Sequence, residues 1–350
     1  MSAARLSGRG RIDANTPVRF NFNGMAYSGY SGDTLASALL ASGTHFVARS
    51  FKYHRPRGIL SCGSEEPNAL VGIDRGPGRF EPNVRATVQE VFDGLTATSQ
   101  NHWPSLAADI GAINDVAHAL IPAGFYYKTF MWPRSFWNKF YEPMIRRAAG
   151  LGRSPTEPDP DEYSNRYAHC DVLVIGAGPA GLAAALAASE AGASVILADE
   201  QAEIGGSLLS DVTSVVDGGS AWTWIDNART TLANRANVTV LTRTTGFGYY
   251  HQNFVALAQR LTDHLAASPA GTPRERLWQV RARQVVLAQG SIERPLVFDG
   301  NDRPGIMLAG AGRSYLNRYG VAVGEWPLVV TAHDSAYQTA FDLAAADRPP

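Results

Sequence analysis

The stretch Val172 to Glu200, VLVIGAGPAGLAAALAASEAGASVILADE, constrains the fold more than any other part of the chain. A short apolar run from Cys170 to Ile175 reads as a buried parallel strand. Three glycines in a GxGxxG spacing follow, and an alanine-rich helix opens with Pro179 and Ala180 between the second and third of them. Gly176 permits a tight turn out of the strand. Gly178 lets the backbone approach a pyrophosphate, and Gly181 lets the helix pack closely on the sheet. The positive end of the helix then points at the phosphates. The second apolar run ends in two acids about 20 residues beyond the glycines, the usual place for a group that binds the adenosine ribose. Asp199 fits the strand end best, with Glu200 as the neighbouring alternative. An acid there disfavours a 2′-phosphate, so NAD or FAD is preferred over NADP. A lone GxGxxG carries little weight; here strand, helix, second strand and acid are all in place.

Three further stretches extend the motif. Gly205 and Gly206 in QAEIGGSLL follow the acids, and two-dinucleotide-domain flavoproteins place a similar pair beside the cofactor. QVVLAQGSIERP resembles the strand and turn that run beneath the dinucleotide in that superfamily, with Gly290 in the turn. NVTVLTRTTGFGYY offers a third strand, and Arg243 to Thr245, with Thr244 at the centre, lie where such folds approach the adenine.

Upstream, VRFNFNG alternates as a strand does, and Asn23-Gly24 marks a hairpin turn. MAYSGYSG reads as the return strand, Asp33 stands at a helix start, and Gly43 stops the helix. A hairpin followed by a helix opens a β-grasp fold. Residues 16–95 are expected to form this module, and 96–165 an aromatic-rich wrapping segment and linker. Residues 166–326 are expected to form the dinucleotide domain, and 327–350 the truncated start of a second lobe, in which WPLVVTAHDSA would be a buried strand. The linker is GRSPTEPDPDEYSN, 152–165, rich in proline and acids. The expected fold class is α/β plus α+β: a ferredoxin-like β-grasp module without a cluster, then a truncated Rossmann-like fold of the two-dinucleotide-domain flavoprotein type.

These features resemble the α subunit of heterotetrameric sarcosine oxidase. The resemblance rests on SFKYHRPRGILSCGSEEPNALV, FYYKTFMWP, GAGPAGLAAALAA, TRTTGFGYYHQN and DRPGIMLAGAGRSYLNRYG, and it covers nearly the whole chain. It implies NAD in the dinucleotide domain, FAD in a separate β subunit where sarcosine is oxidised, FMN at the α–β interface, and γ and δ subunits as further partners. It also implies a folate-binding domain after the dinucleotide domain, which this sequence does not include. The implied activity is oxidative demethylation of sarcosine to glycine, with peroxide formed and a one-carbon unit passed to tetrahydrofolate. The alternatives are the α subunit of an opine or proline dehydrogenase with FAD in this domain, or a nucleotide-binding scaffold without catalysis.

A [2Fe–2S] cluster needs four thiolates. The chain has two cysteines, Cys62 and Cys170, and only Cys62 falls in the first module. No cluster and no metal site are therefore expected, and Cys62 reads as a packed loop residue. Two distant cysteines also point to a reducing, cytoplasmic setting. Arg5, Arg9 and Arg11 without early acids faintly resemble a transit peptide, but no apolar signal segment is present. A net charge of −1 argues against nucleic acid, and Gly and Pro punctuation argues against a membrane span. The basic run Lys52, His54, Arg55 and Arg57 reads first as a solvated or subunit-facing loop and second as a phosphate contact. His251, His102 and His118 have no flanking acid or nucleophile motif, so no catalytic residue is assigned.

Overall fold

In the first module the Asn23-Gly24 turn, with φ of 54° and 80°, joins β1 (Asp13–Phe22) to β2 (Met25–Ser31). These left-handed angles match the twist of a two-residue hairpin. The computed structural model describes residues 4–121, 124, 130, 132–148, 150 and 152–350. Helix α1 (Leu35–Ala41) follows, capped by Thr34 in a capping box with Ser37. The cap thus lies one residue beyond Asp33, which is buried and ion-paired with Arg5 at 2.6 Å. Strands β3 (Leu70–Asp74), β4 (Phe80–Arg85) and β5 (Leu95–Ser99) complete a sheet of order β2-β1-β5-β3-β4. Its central pair, β1 and β5, is parallel. Phe20, Phe22, Leu39, Ile73 and Leu95 fill the space between sheet and helix.

The aromatic-rich segment follows, and residues 125–129 and 131 lie outside the described residues. Trp132 and Phe140 are exposed. The second sheet begins at Tyr163, inside the stretch read as linker, because Tyr163 to Arg166 pair with Glu275 to Trp278.

That sheet contains β6 (Tyr163–Ile175), β7 (Val195–Ala198), β8 (Val238–Leu241), β9 (Thr244–Tyr250), β10 (Phe254–Arg260) and β11 (Glu275–Leu287). The order is β8-β7-β6-β11-β10-β9. Strands β8, β7, β6 and β11 run parallel, and β10 runs against them, paired antiparallel with β11 on one side and with β9 on the other. The stretch read as one third strand divides at Arg243, whose φ is 51°. Helices α2 (Pro179–Glu190) and α3 (Ala221–Ala233) pack against the parallel strands through Leu182, Ala185, Ala228 and Leu232. Parallel strands covered by helices bury both faces, which accounts for the apolar runs of β6 and β7.

Helix α4 (Ala309–Tyr319) comes late in the chain but packs on the first module, where Ala311, Tyr315 and Tyr319 join its core. The Tyr315 hydroxyl donates to the Ser61 carbonyl at 2.8 Å. A network of charges seals the modules elsewhere. Arg274 Nε lies 2.8 Å from Asp263 and also pairs with Glu81; Arg79 lies 2.8 Å from Asp161, and Arg243 Nη2 2.8 Å from Glu90. Helix α5 (Tyr337–Ala344) packs on α4. The run WPLVVTAHDSA forms no strand: Trp326 and Leu328 are 85% and 84% exposed. Among the described residues no strand lies beside it, and an extended segment needs a ladder partner for its backbone groups.

Candidate dinucleotide site

The three glycines of the turn do three different things. Gly176 has φ +95°, and a Cβ there would stand 2.4 Å from the Ala288 carbonyl oxygen. A Cβ on Gly181 would stand 1.8 Å from the Gly176 carbonyl oxygen, so α2 sits directly on the turn. Gly178 is the N-cap residue of α2 with an ordinary φ of −72°. The nearest atom to its missing Cβ is Gly206 Cα at 3.9 Å, which leaves room on that face. Pro179 occupies the first turn of the helix, and both it and Ala180 are exposed. The first amides of a helix lack intrahelical acceptors and attract anions. This donor set and open face fit a pyrophosphate.

Gly205 and Gly206 pack on the same turn. The Gly205 amide donates to the Ala177 carbonyl at 2.8 Å, and a Cβ on Gly206 would stand 2.7 Å from Gly178 Cα. Gly290, with φ +73°, lies in an exposed stretch two residues beyond Ala288. Thr244 is buried; its amide donates to the Asp199 carbonyl at 2.7 Å and its hydroxyl to the Thr242 carbonyl at 2.8 Å. Its side chain therefore serves the strand junction.

The two acids differ sharply. Asp199 is 9% exposed, and its carboxylate accepts from the Ala177 amide at 2.6 Å and the Gln201 amide at 2.8 Å. Burial pushes its carboxyl above the usual range, against those two amides and nearby Arg318. Glu200 instead lines a cavity of about 550 Å³ between the modules, together with Ser64, Glu90, Thr245, Arg260 and Arg318. The glycine turn does not line this cavity. The cavity residues from the first module carry no sequence pattern of their own, since the contacts that gather them span more than a hundred residues.

The basic run lies elsewhere. Arg55 Nε pairs with Asp115 at 2.9 Å, Arg57 pairs with Asp302, and His54 Nδ1 lies 2.6 Å from Asp109. These ion pairs bind the run to the rest of the chain. No described helix is long and apolar enough to cross a membrane.

Fold and site together define a dinucleotide-binding oxidoreductase domain behind a ferredoxin-type module. Residues 171–281 match the family described as FAD dependent oxidoreductase, and 15–102 match the 2Fe-2S iron-sulfur cluster binding domain. The chain is a relative of sarcosine oxidase alpha subunits. It is 56% identical over 346 residues to that of Rhizobium meliloti (strain 1021), covering 99% of this chain and 35% of the relative. It is 42% identical to that of Corynebacterium sp. (strain P-1), covering 98% of this chain and 31% of the relative. The chain thus spans about a third of the length of these relatives. An opine oxidase subunit of Agrobacterium tumefaciens (strain Ach5) is 33% identical over 46% of this chain and 31% of its own length. A crystal structure of L-proline dehydrogenase from P. horikoshii shares the fold, with a TM-score of 0.65 at 19% identity over 100% of this chain and 55% of that one.

Two expectations are corrected. The fold class is a 2Fe-2S ferredoxin-type domain followed by an FAD oxidoreductase domain, in place of a cluster-less module. Counting cysteines misled because the match runs over residues 15–102 as a whole. The cofactor expectation of NAD without an iron–sulfur group is likewise overturned by those matches. A strand-end acid reads a ribose that NAD and FAD share, so it does not separate them. The thiols available to a cluster in residues 15–102 amount to Cys62, and burial pushes it up to about 12. One protonated thiol does not meet the four-thiolate requirement.

Proposed function

We propose that this chain is the FAD-binding portion of the α subunit of a sarcosine-oxidising complex. The observation that carries the reading is that nearly the whole chain is 56% identical to the alpha subunit of a sarcosine oxidase. Gly176, Gly178, Pro179, Ala180 and Gly181 would hold the pyrophosphate, flanked by Gly205 and Gly206, with Gly290 beneath the dinucleotide. Bound FAD supplies two-electron redox chemistry. The residues of the turn bind and orient the cofactor and transfer no protons themselves. The amine is oxidised in a partner subunit, sarcosine becoming glycine as oxygen is reduced to peroxide and the methyl carbon passes to tetrahydrofolate. β, γ and δ subunits complete the assembly. Both cysteines are free thiols, which supports a cytoplasmic setting. We assign residues 16–95 and 166–326 to the two modules, with 96–165 between them and 327–350 after them.

The opine oxidase match is lower and covers under half of the chain, which favours sarcosine over an opine. Mass spectrometry of acid-released ligand tests the cofactor, and FAD is expected. Sarcosine-dependent peroxide formation by the purified assembly tests the activity. An assembly that oxidises an opine but not sarcosine would reverse the assignment.

A further inference from the structure

Around the boundary between the modules, Arg11 pairs with Glu203, Arg79 with Asp161, Arg243 with Glu90 and Arg274 with Asp263. Three other arginines line the cavity of about 550 Å³ and depart from this pattern. Arg85 ends β4, Arg260 ends β10, and Arg318 lies on α4. Their hydrogen bonds go to neutral oxygens. Arg85 Nε donates to the Glu66 carbonyl at 3.2 Å, Arg260 Nη2 to the Glu200 carbonyl at 3.3 Å, and Arg318 Nη1 to Gln201 Oε1. Among the described residues, none of the three has a carboxylate within ion-pair distance. We propose that this cavity is a second ligand site, separate from the glycine turn, and that it takes a small phosphate monoester.

The acids of the cavity do not supply the missing charge. Glu81, Glu90, Glu203 and Asp263 line it, but each is paired with another arginine. Glu200 is the remaining carboxylate, and it accepts from the Ser64 hydroxyl at 2.8 Å. Asp199 and Glu275 feel Arg318 and Arg260 from farther off, and the Asp199 oxygens accept from two backbone amides. Three unmatched cations against one unmatched carboxylate leave a surplus of two positive charges on the cavity wall.

Arg260 and Arg318 are half-buried, and Arg85 is exposed. A half-buried guanidinium gives up hydration, and without an opposite charge nothing offsets that loss. Each guanidinium has five N–H donors and uses one here, which leaves forked contacts open to an oxyanion. Like charges on the walls of a cleft add their fields inside it. A phosphate monoester brings a charge of about −1.5 to −2 near neutral pH, together with several acceptor oxygens, and so matches the surplus. A monocarboxylate would match half of it. The cavity is of the size that small-molecule sites occupy, so the organic part of the ester has room. Arg85 belongs to the first module and Arg260 to the second, so neither module builds the site alone. The glycine turn contributes nothing to the lining, and the inference therefore stands apart from the dinucleotide reading.

The test is calorimetric titration of the purified protein with glycerol phosphate, in excess FAD so that the glycine turn is filled. Binding is expected, and it should weaken as salt is raised. Arg85→Gln, at an exposed side chain, should weaken glycerol phosphate by about tenfold, the scale of a hydrogen bond to a charged group. Arg260→Gln and Arg318→Gln should do the same. Arg283→Gln removes an exposed cation of β11 outside the cavity and should leave the affinity unchanged. Melting temperatures measured without ligand check that each variant folds, and glycerol phosphate should raise that of the parent more than those of the three cavity variants. The inference is overturned by a parent that does not bind, by unchanged affinity in all three cavity variants, or by an equal loss in Arg283→Gln. Tighter binding of succinate than of glycerol phosphate would overturn the assigned class. Displacement of glycerol phosphate by FAD would place it at the glycine turn, overturning this inference and leaving the dinucleotide reading standing. A protein that takes no FAD yet binds glycerol phosphate through these arginines would sink that reading and uphold this one.

Discussion

The carboxylate of Asp199 lies 2.6 Å from the amide of Ala177, so the acid that ends β7 holds the turn that ends β6. Replacing it by Asn removes one acceptor and sets an NH2 group against a backbone donor. Asp199→Asn should therefore lower stability by about 1–3 kcal/mol, the cost of an unsatisfied buried amide. FAD occupancy should fall with it. Urea unfolding and flavin fluorescence, measured on the same preparation, check both outcomes.

The glycines separate folding from binding. In Gly181→Ala the new methyl would stand 1.8 Å from the Gly176 carbonyl oxygen, so the helix must shift. A loss of about 1–3 kcal/mol or more is expected from such overpacking. In Gly178→Ala the methyl has open space, and φ is ordinary for any residue. That variant should unfold with the parent and yet lose FAD, because the methyl occupies the face left for the phosphates. Thermal melts without ligand should distinguish the two substitutions.

The glycine turn was legible in the sequence because each of its contacts is local or between neighbouring strands. Gly205 and Gly206 were legible for the same reason, following the acid closely. The hydrogen bonds of Asp199 and Glu200 were not, since they depend on where a side chain points after the strand ends. Ser64 was invisible, because its partner lies 136 residues away and no spacing connects them. The apolar run at 326–336 misled, since it reads as a strand only if neighbours are supplied. The hairpin and helix of the first module were legible from Asn23-Gly24 and Gly43, while the residues this module adds to the cavity were not.

Arg274 joins the modules from a buried position, with its side chain 10% exposed and that of Asp263 8% exposed. Arg274→Met would leave Asp263 buried with a distant second cation, Arg75, at 4.0 Å. Breaking one side of a buried pair costs about 3–5 kcal/mol. The loss should appear as faster amide exchange in β4 and β11 together, which hydrogen exchange with mass spectrometry would show.

Asp211 gives the fold an acid-sensitive point. Burial raises its carboxyl, but the Ser214 hydroxyl and amide, the Thr213 amide and Arg313 outweigh this and hold it at about 2. An unfolded Asp titrates near pH ~3.9. A depressed folded value means the stabilisation is fully present above ~3.9 and is lost as pH falls toward 2. Asp211→Asn should remove that part of the pH dependence while the parent keeps it. Melting temperatures of the two proteins between about pH 5 and pH 2.5, the window these values set, should converge on acidification.

Helix α4 has a consequence for synthesis. Proteins emerge from the ribosome N-terminus first, and a module usually folds once its own segment is out. Here the nascent chain can expose all five strands of the first sheet and still lack Ala311, Tyr315, Tyr319 and Val321 from that module's core. Arg5 must wait as well, since its guanidinium donates to the Tyr319 carbonyl at 2.7 Å. This module is thus finished only when the dinucleotide domain has also been translated. During that interval its unsealed apolar face is open to chaperones.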